Sequence, residues 1–120
     1  MQFNWDDVRL ILRQVEALPH EDSELDSDQV VGVDGPVAAY LMRRLMEGGY
    51  LVGESRQLVG APASCVANHM TMAGHQLWAD IKRDTVWNKV KDAAKRKGVE
   101  LSISVIMELA AAAIKSLLHG

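Results

Sequence analysis

The stretch from Thr71 to Gly98, T-M-A-G-H-Q-L-W-A-D-I-K-R-D-T-V-W-N-K-V-K-D-A-A-K-R-K-G, does most to limit the folds open to this chain. Leu77, Trp78 and Ile81 form one apolar stripe at helical spacing, and Val86, Trp87, Val90 and Ala94 form a second. The two stripes are out of phase, so one continuous helix would turn one of them to solvent. The spacing therefore predicts a break or kink near Lys82–Asp84 and two helices in sequence. Thr71 is a capping type for the first and Asp84 or Thr85 for the second, while Gly98 stops the second just after Lys97. Trp78 and Trp87 are expected to be core anchors, because a chain with a single phenylalanine needs bulk inside.

Similar signals organise the rest. Asn4 is an N-cap with Asp6 and Asp7 in the first turn of a helix whose stripe is Trp5, Val8, Leu12 and Val15, widened by Ile11 and Leu18, and Pro19 ends it. Residues 20–28 are acidic and polar and are predicted to be a loop, and the β-branched run Gln29–Val33 a short strand. Asp34-Gly35-Pro36 starts a helix that runs to Glu47, where Gly48-Gly49 supplies a left-handed stop. A hairpin follows over residues 50–70, with its tip near Ala61–Ala63. Its return strand, Ser64–Met70, is predicted to place Cys65, Ala67 and His69 on one face and Val66, Asn68 and Met70 on the other. Ser102 or Ser104 begins a last, alanine-rich helix. The expected fold is mainly α within the α+β class. Residues 1–70 form a winged-helix-like domain with a β-hairpin wing, and residues 71–120 a C-terminal helical extension packed on it as one structural unit.

A chain of 120 residues is one domain by size. Its single cysteine, Cys65, allows no internal disulfide. The N-terminal residues lack the basic and apolar regions of a signal peptide, and no apolar run is long enough to span a bilayer. A cytoplasmic protein with no membrane partner is the expectation. The net charge of −3 is unevenly spread: residues 1–34 carry −7 and residues 35–120 carry +4. Residues 82–97 hold seven basic side chains against Asp84 and Asp92. Such a cluster fits either an anionic partner or a solvated helix face.

Several of these residues form a pattern met elsewhere: L-x-R-R-L-x-E-G-G-Y-L at 41–51, M-T-M-A-G-H-Q-L-W-A-D-I at 70–81, R-D-T-V-W-N-K-V-K at 83–91, and L-S-I-S-V-I-M-E-L after Gly98. The chain resembles domain-of-unknown-function family 2513, small bacterial proteins often met in phages and prophages. The resemblance covers nearly the whole chain, and Arg83–Lys91 is its most specific part. It implies a winged-helix-like start, a helical tail and a mobile-element setting, and it brings no catalytic residues. Gly35-Pro36 departs from the pattern, which has a Ser, Thr or Asp cap followed by acidic residues at that place.

Few residues suggest chemistry. Cys65, His69, His75 and Asp80 include zinc-ligand types, but the short ligand pairs of structural zinc sites are absent. Cys65 and His69 on one strand face would stand about 13 Å apart, too far for a nucleophile and its base. Phosphate loops, nucleophile elbows and His-Glu-x-x-His motifs are also missing. The expectation is a protein that is not an enzyme and needs no metal or cofactor.

Two non-catalytic roles remain. The first is a phage- or prophage-type regulatory protein that contacts duplex DNA through phosphates, by way of Tyr40, Arg43, Arg44 and Arg56 on the recognition helix and wing, then Lys89, Lys95, Arg96 and Lys97. The helix from Val37 opens with Val-Ala-Ala rather than with residues that read bases, so these contacts position and do not specify. The alternative is a protein-interaction module that binds and modulates a host protein without nucleic acid. In either role, Ile106, Leu109, Ala113 and Leu117 on the broad apolar face of the last helix are expected to mediate homo-oligomerisation.

Overall fold

The computed structural model describes residues 3–57 and 59–119. Its elements are α1 (Trp5–Glu16), β1 (Leu25–Asp26), a 3₁₀ turn (Ser27–Gln29), α2 (Gly35–Glu47), β2 (Leu51–Arg56), β3 (Ser64–Met70), α3 (Met72–Ile81), α4 (Asp84–Lys97) and α5 (Ile103–His119). The fold is α+β, with five helices and one three-stranded antiparallel sheet of order β1-β3-β2 among the described residues. The chain divides into two compact units, Met1–His75 and Gln76–Gly120, and the division falls inside α3.

The first unit has the element order of a winged helix. Asn4 caps α1 by accepting hydrogen bonds from the Asp6 and Asp7 amides, and Trp5, Val8, Ile11, Leu12 and Val15 form its buried stripe. α1 ends at Glu16, two residues before the expected limit at Leu18. Helix α2 packs on β2 and β3 through Ala38, Ala39, Leu41, Met42 and Leu45. At its end the Tyr50 amide donates to the Leu45 carbonyl and the Gly49 amide to that of Met46. Gly49 takes φ +82°, so the stop signalled by Gly48-Gly49 is a Schellman motif.

The strand expected over Gln29–Val33 does not form. The strand lies earlier, at Leu25–Asp26, inside the segment expected to be a loop, and pairs with Val66 and Ala67 of β3. Asp26 then accepts from the Asp28 amide and caps the 3₁₀ turn. The turn occupies the place of the helix that a winged helix carries between its first and recognition helices. Two causes exclude a strand at Gln29–Val33. Gly32 has φ +86°, which breaks an extended run, and the Val31 backbone is already satisfied by a side chain. The Gln14 side-chain amide both donates to the Val31 carbonyl and accepts from the Val31 amide, each at 2.9 Å.

The hairpin also departs from simple alternation. Val52 pairs with His69 but Gly53 pairs with Ala67, which leaves Asn68 as a bulge. The extra residue reverses the phase of the last two positions. Met70 therefore shares a face with Ala67 and Cys65, while exposed His69 falls on the Val66 side. Cys65 and Ala67 share a face as expected, but the expected placement of His69 with them is corrected. Gly53 sits opposite the bulge, where a Cβ would lie 2.0 Å from the Val66 carbonyl oxygen.

Thr71 caps α3 through the Gly74 amide. Gly74 packs so tightly on the chain that a Cβ there would stand 2.0 Å from the Tyr50 carbonyl oxygen.

The second unit bears out the phase slip. α3 stops at Ile81 and α4 starts at Asp84, with Arg83 rather than Asp84 or Thr85 at the N-cap position. Leu77, Trp78, Ile81, Val86, Trp87 and Val90 are all buried. Gly98 adopts φ +67°, and the Gly98 and Val99 amides close a second Schellman motif on Lys95 and Ala94. Ser102 caps α5 through the Val105 amide, and α5 packs on α4.

Candidate functional site

The surface between α2 and the hairpin is the place where a winged helix meets its partner. Pro36, Ala39, Tyr40 and Arg43 of α2 face Ser55, Pro62, Ala63, Ser64 and Cys65 across a cleft of about 220 Å³. A second cleft of about 370 Å³ shares Pro36, Pro62, Ala63 and Ser64 with it and extends to Asp26, Asp28 and Arg56. Together they form one groove. Its walls are largely proline, alanine and the ring of half-buried Tyr40, and its charges stand at the ends.

Arg43, Arg44 and Arg56 are the basic side chains at this surface expected to meet phosphate, and each is turned to a carboxylate. Arg43 lies 3.8 Å and Arg44 3.2 Å from Glu47, one turn further along α2. Arg56 lies 3.2 Å from Glu54 on its own strand and 3.8 Å from Glu24. All are about half exposed, so the pairs add little stability. They do cancel local positive potential. Residues 1–75 as a whole carry eleven acidic against five basic side chains.

Charge of the other sign lies in residues 76–120, with eight basic against five acidic side chains. Lys89, Lys95, Arg96 and Lys97 are exposed on α4. They do not form one stripe. By helical spacing, Lys89 and Arg96 follow one edge of the exposed face and Lys91 and Lys95 the other, beside Asp84, with Asn88 and Asp92 between the two edges. Lys91 also lies 5.9 Å from the Trp87 ring centroid, within cation–π range. Lys95, Arg96 and Lys97 fill the last turn, where cations favour the negative end of the helix dipole.

Cys65 is buried beneath the groove. Its thiol donates to the Ala39 carbonyl at 3.3 Å and lies 3.4 Å from the Ser55 hydroxyl, while its amide donates to Ser27 Oγ. These contacts tie β3 to α2, β2 and the 3₁₀ turn. The bulge at Asn68 also puts His69 on the opposite face of β3 from Cys65, so the two do not form a nucleophile–base pair, as their spacing already led one to expect. Among the described residues no group of three or more His, Cys, Asp or Glu side chains could hold a metal ion.

A further cleft of about 720 Å³ lies at the end of α1, where Glu16, Glu21 and Asp22 stand near His20, His69 and His75. Sequence reading missed this grouping, because it depends on the bulge and on how the 18–22 turn folds back. In α3, burial raises the Asp80 carboxyl above its ordinary value of 3.8.

Of the residues expected to mediate self-association, Ile106, Leu109 and Ala113 are buried within the chain itself, at 0%, 8% and 8% exposure. They are core positions packed inside the fold, which corrects their assignment to an outer surface. Leu117 is at the edge, at 36%. No helix is long and apolar enough to cross a membrane among the described residues.

The chain is 30% identical over 118 residues to an uncharacterized protein of Haemophilus influenzae, a match covering 98% of this chain and 99% of that one. No solved structure matches it. The family described as Hypothetical protein (DUF2513) matches residues 2–100. With that match over most of its length, the chain belongs to the DUF2513 family.

Proposed function

We propose that this protein is a non-catalytic regulatory interaction module, in which a winged-helix-like unit docks a segment of another protein in the groove between α2 and the hairpin. The observation that carries this reading is electrostatic. A surface that binds duplex DNA must offer cations to phosphates, yet Arg43, Arg44 and Arg56 each lie within 4 Å of a glutamate in a unit that is acidic overall. The groove walls are instead of the kind that take apolar side chains from a protein, with Tyr40 as an anchor and Arg43 as a polar rim. The phage- or prophage-type setting implied by the family resemblance suits a factor that modulates a host protein.

The absence of catalysis belongs to the same proposal. Cys65 is a buried thiol that donates its proton to a carbonyl, which is not the state of a nucleophile.

One observation favours a second reading. The excess of basic side chains on α4 supports weak, sequence-independent attraction to duplex DNA at low salt, through Lys89, Lys95, Arg96 and Lys97. That contact would lie outside the winged-helix surface.

Site-specific photo-crosslinking in cells tests the first reading. A photoreactive phenylalanine in place of Tyr40 is expected to give a protein adduct that survives nuclease treatment. A nuclease-sensitive adduct, or none, would contradict groove docking.

A further inference from the structure

We propose that α5 is a dimerisation helix that pairs antiparallel with α5 of a second copy of this chain, along a stripe beside its buried face. Ile106, Leu109, Ala110 and Ala113 are turned into the fold. Next to them on the helix, Ile103, Met107, Ala111, Ile114 and Leu118 follow one another at steps of three or four residues, with buried Ala110 as the floor. Met107 and Leu118 are 38% and 77% exposed, and Ile103 and Ile114 are half-buried. The stripe is an apolar face that this chain's own core leaves partly open.

The order of side chains in the stripe names the occupant. Large residues stand at its ends and one small residue, Ala111, at its centre, and the pattern reads almost alike from either end. With a two-fold axis passing beside exposed Ala111, level with the midpoint of residues 110 and 111, Ile103 of one copy meets Leu118 of the other, and Met107 meets Ile114. Residue i faces j and j faces i, as an isologous interface requires. Alanine at the crossing point lets the two backbones approach closely. α5 has 17 residues, so the paired segment is about 25 Å long.

Charge selects the antiparallel arrangement. Exposed Glu108 and Lys115 lie seven residues apart on one flank of the stripe. In the antiparallel pair, Glu108 of one copy comes within about 3 Å, along the helix axis, of Lys115 of the other. Symmetry makes two such ion pairs. A parallel two-fold pair would carry this flank to opposite sides of the interface in the two copies, so Glu108 of one copy could not reach Lys115 of the other. This inference does not depend on the groove, since none of its residues belongs to residues 1–75.

Sedimentation equilibrium of the full-length protein over a wide concentration range tests it, with circular dichroism to confirm that each variant keeps its helices. The wild type is expected to be a reversible dimer, and Leu118→Glu and Met107→Glu monomers. Glu108→Lys and Lys115→Glu should each weaken the dimer about tenfold, and the double variant should restore it. Under mild oxidation Ala111→Cys should form a disulfide-linked dimer, whereas Leu118→Cys should not, because its two copies stand at opposite ends. A monomeric wild type, a double reversal that fails to restore association, or cross-linking at Leu118→Cys in place of Ala111→Cys would each overturn the proposal.

Discussion

Residues 1–75 and 76–120 are held together by different means. In the first unit, backbone geometry decides: a bulge at Asn68, glycines pressed against carbonyl oxygens, and a glutamine side chain serving as backbone partner to Val31. In the second, apolar periodicity decides: Val86, Trp87, Val90 and Ala94 of α4 are buried, and α4 packs on α5. The charge differs as well, with an acidic excess of six in the first unit and a basic excess of three in the second. A unit whose fold rests on backbone contacts is sensitive where a sequence looks bland, and one built on periodic burial is sensitive where the sequence already points.

Substitutions that probe backbone contact should have the largest effect. Gly74→Ala places a methyl group against the Tyr50 carbonyl, and we expect a loss of about 3 kcal/mol, read from the urea midpoint. Gly60→Ala is the control. Gly60 also has positive φ, but nothing lies within 4 Å of its Cβ position, so only the left-handed penalty of about 1 kcal/mol applies. Equal losses would show that close approach is not what matters at Gly74.

In the second unit the matching contrast lies along α5. Ile106→Ala empties a fully buried position and should lose about 2–3 kcal/mol. Leu118→Ala, measured at a concentration too low for self-association, should change stability by less than about 0.5 kcal/mol. A large loss at Leu118 would mean that the stripe is already covered within one chain.

The Gln14–Val31 link is a smaller term. Gln14→Ala should cost about 1 kcal/mol, because the Val31 backbone is exposed enough for water to replace the side chain. Hydrogen exchange at the Val31 amide should quicken in that variant while the amides of α4 stay protected. Unchanged exchange at Val31 would deny the link its role.

The smallest expected effect concerns Asp80. Its carboxyl holds a proton more tightly folded than unfolded, because burial penalises its charged form. The stabilising contribution of the protonated form is full below the unfolded value and is lost as pH rises through the folded one. Asp80→Asn should therefore flatten that fall in stability and leave the protein slightly more stable at neutral pH. A thermal melt series across acid and neutral pH reads this directly, and an unchanged profile would remove Asp80 as its source.

How much of this was legible in the sequence follows the same division. The phase slip between Ile81 and Val86, the stop at Gly98, and the caps Asn4, Thr71 and Ser102 all act through neighbours in the chain, and all are in place. The misplaced strand at Gln29–Val33 and the wrong face for His69 share one cause. A two-residue strand and a one-residue bulge are set by partners far along the chain, so neither leaves a periodic trace. Gly53 and Gly74 were silent because a glycine does not announce what its missing Cβ would strike. At the candidate site, Tyr40, Arg43 and Arg56 were legible as the α2–hairpin surface and do line its groove. The pairing of Arg56 with Glu24 was not legible, because it joins residues far apart in the chain. The apolar face of α5 could be read as broad, but not which half of it α4 and the rest of the fold would cover.

We propose that the surface between α2 and the hairpin does not read DNA. The most direct test is fluorescence anisotropy with duplex DNA across a salt series, using the full-length protein and two variants. One variant carries Arg43→Ala, Arg44→Ala and Arg56→Ala, the other Lys89→Ala, Lys95→Ala and Arg96→Ala. Any binding is expected to be confined to low salt, untouched in the first variant and lost in the second. Binding that persists at physiological salt and disappears in the first variant would contradict it.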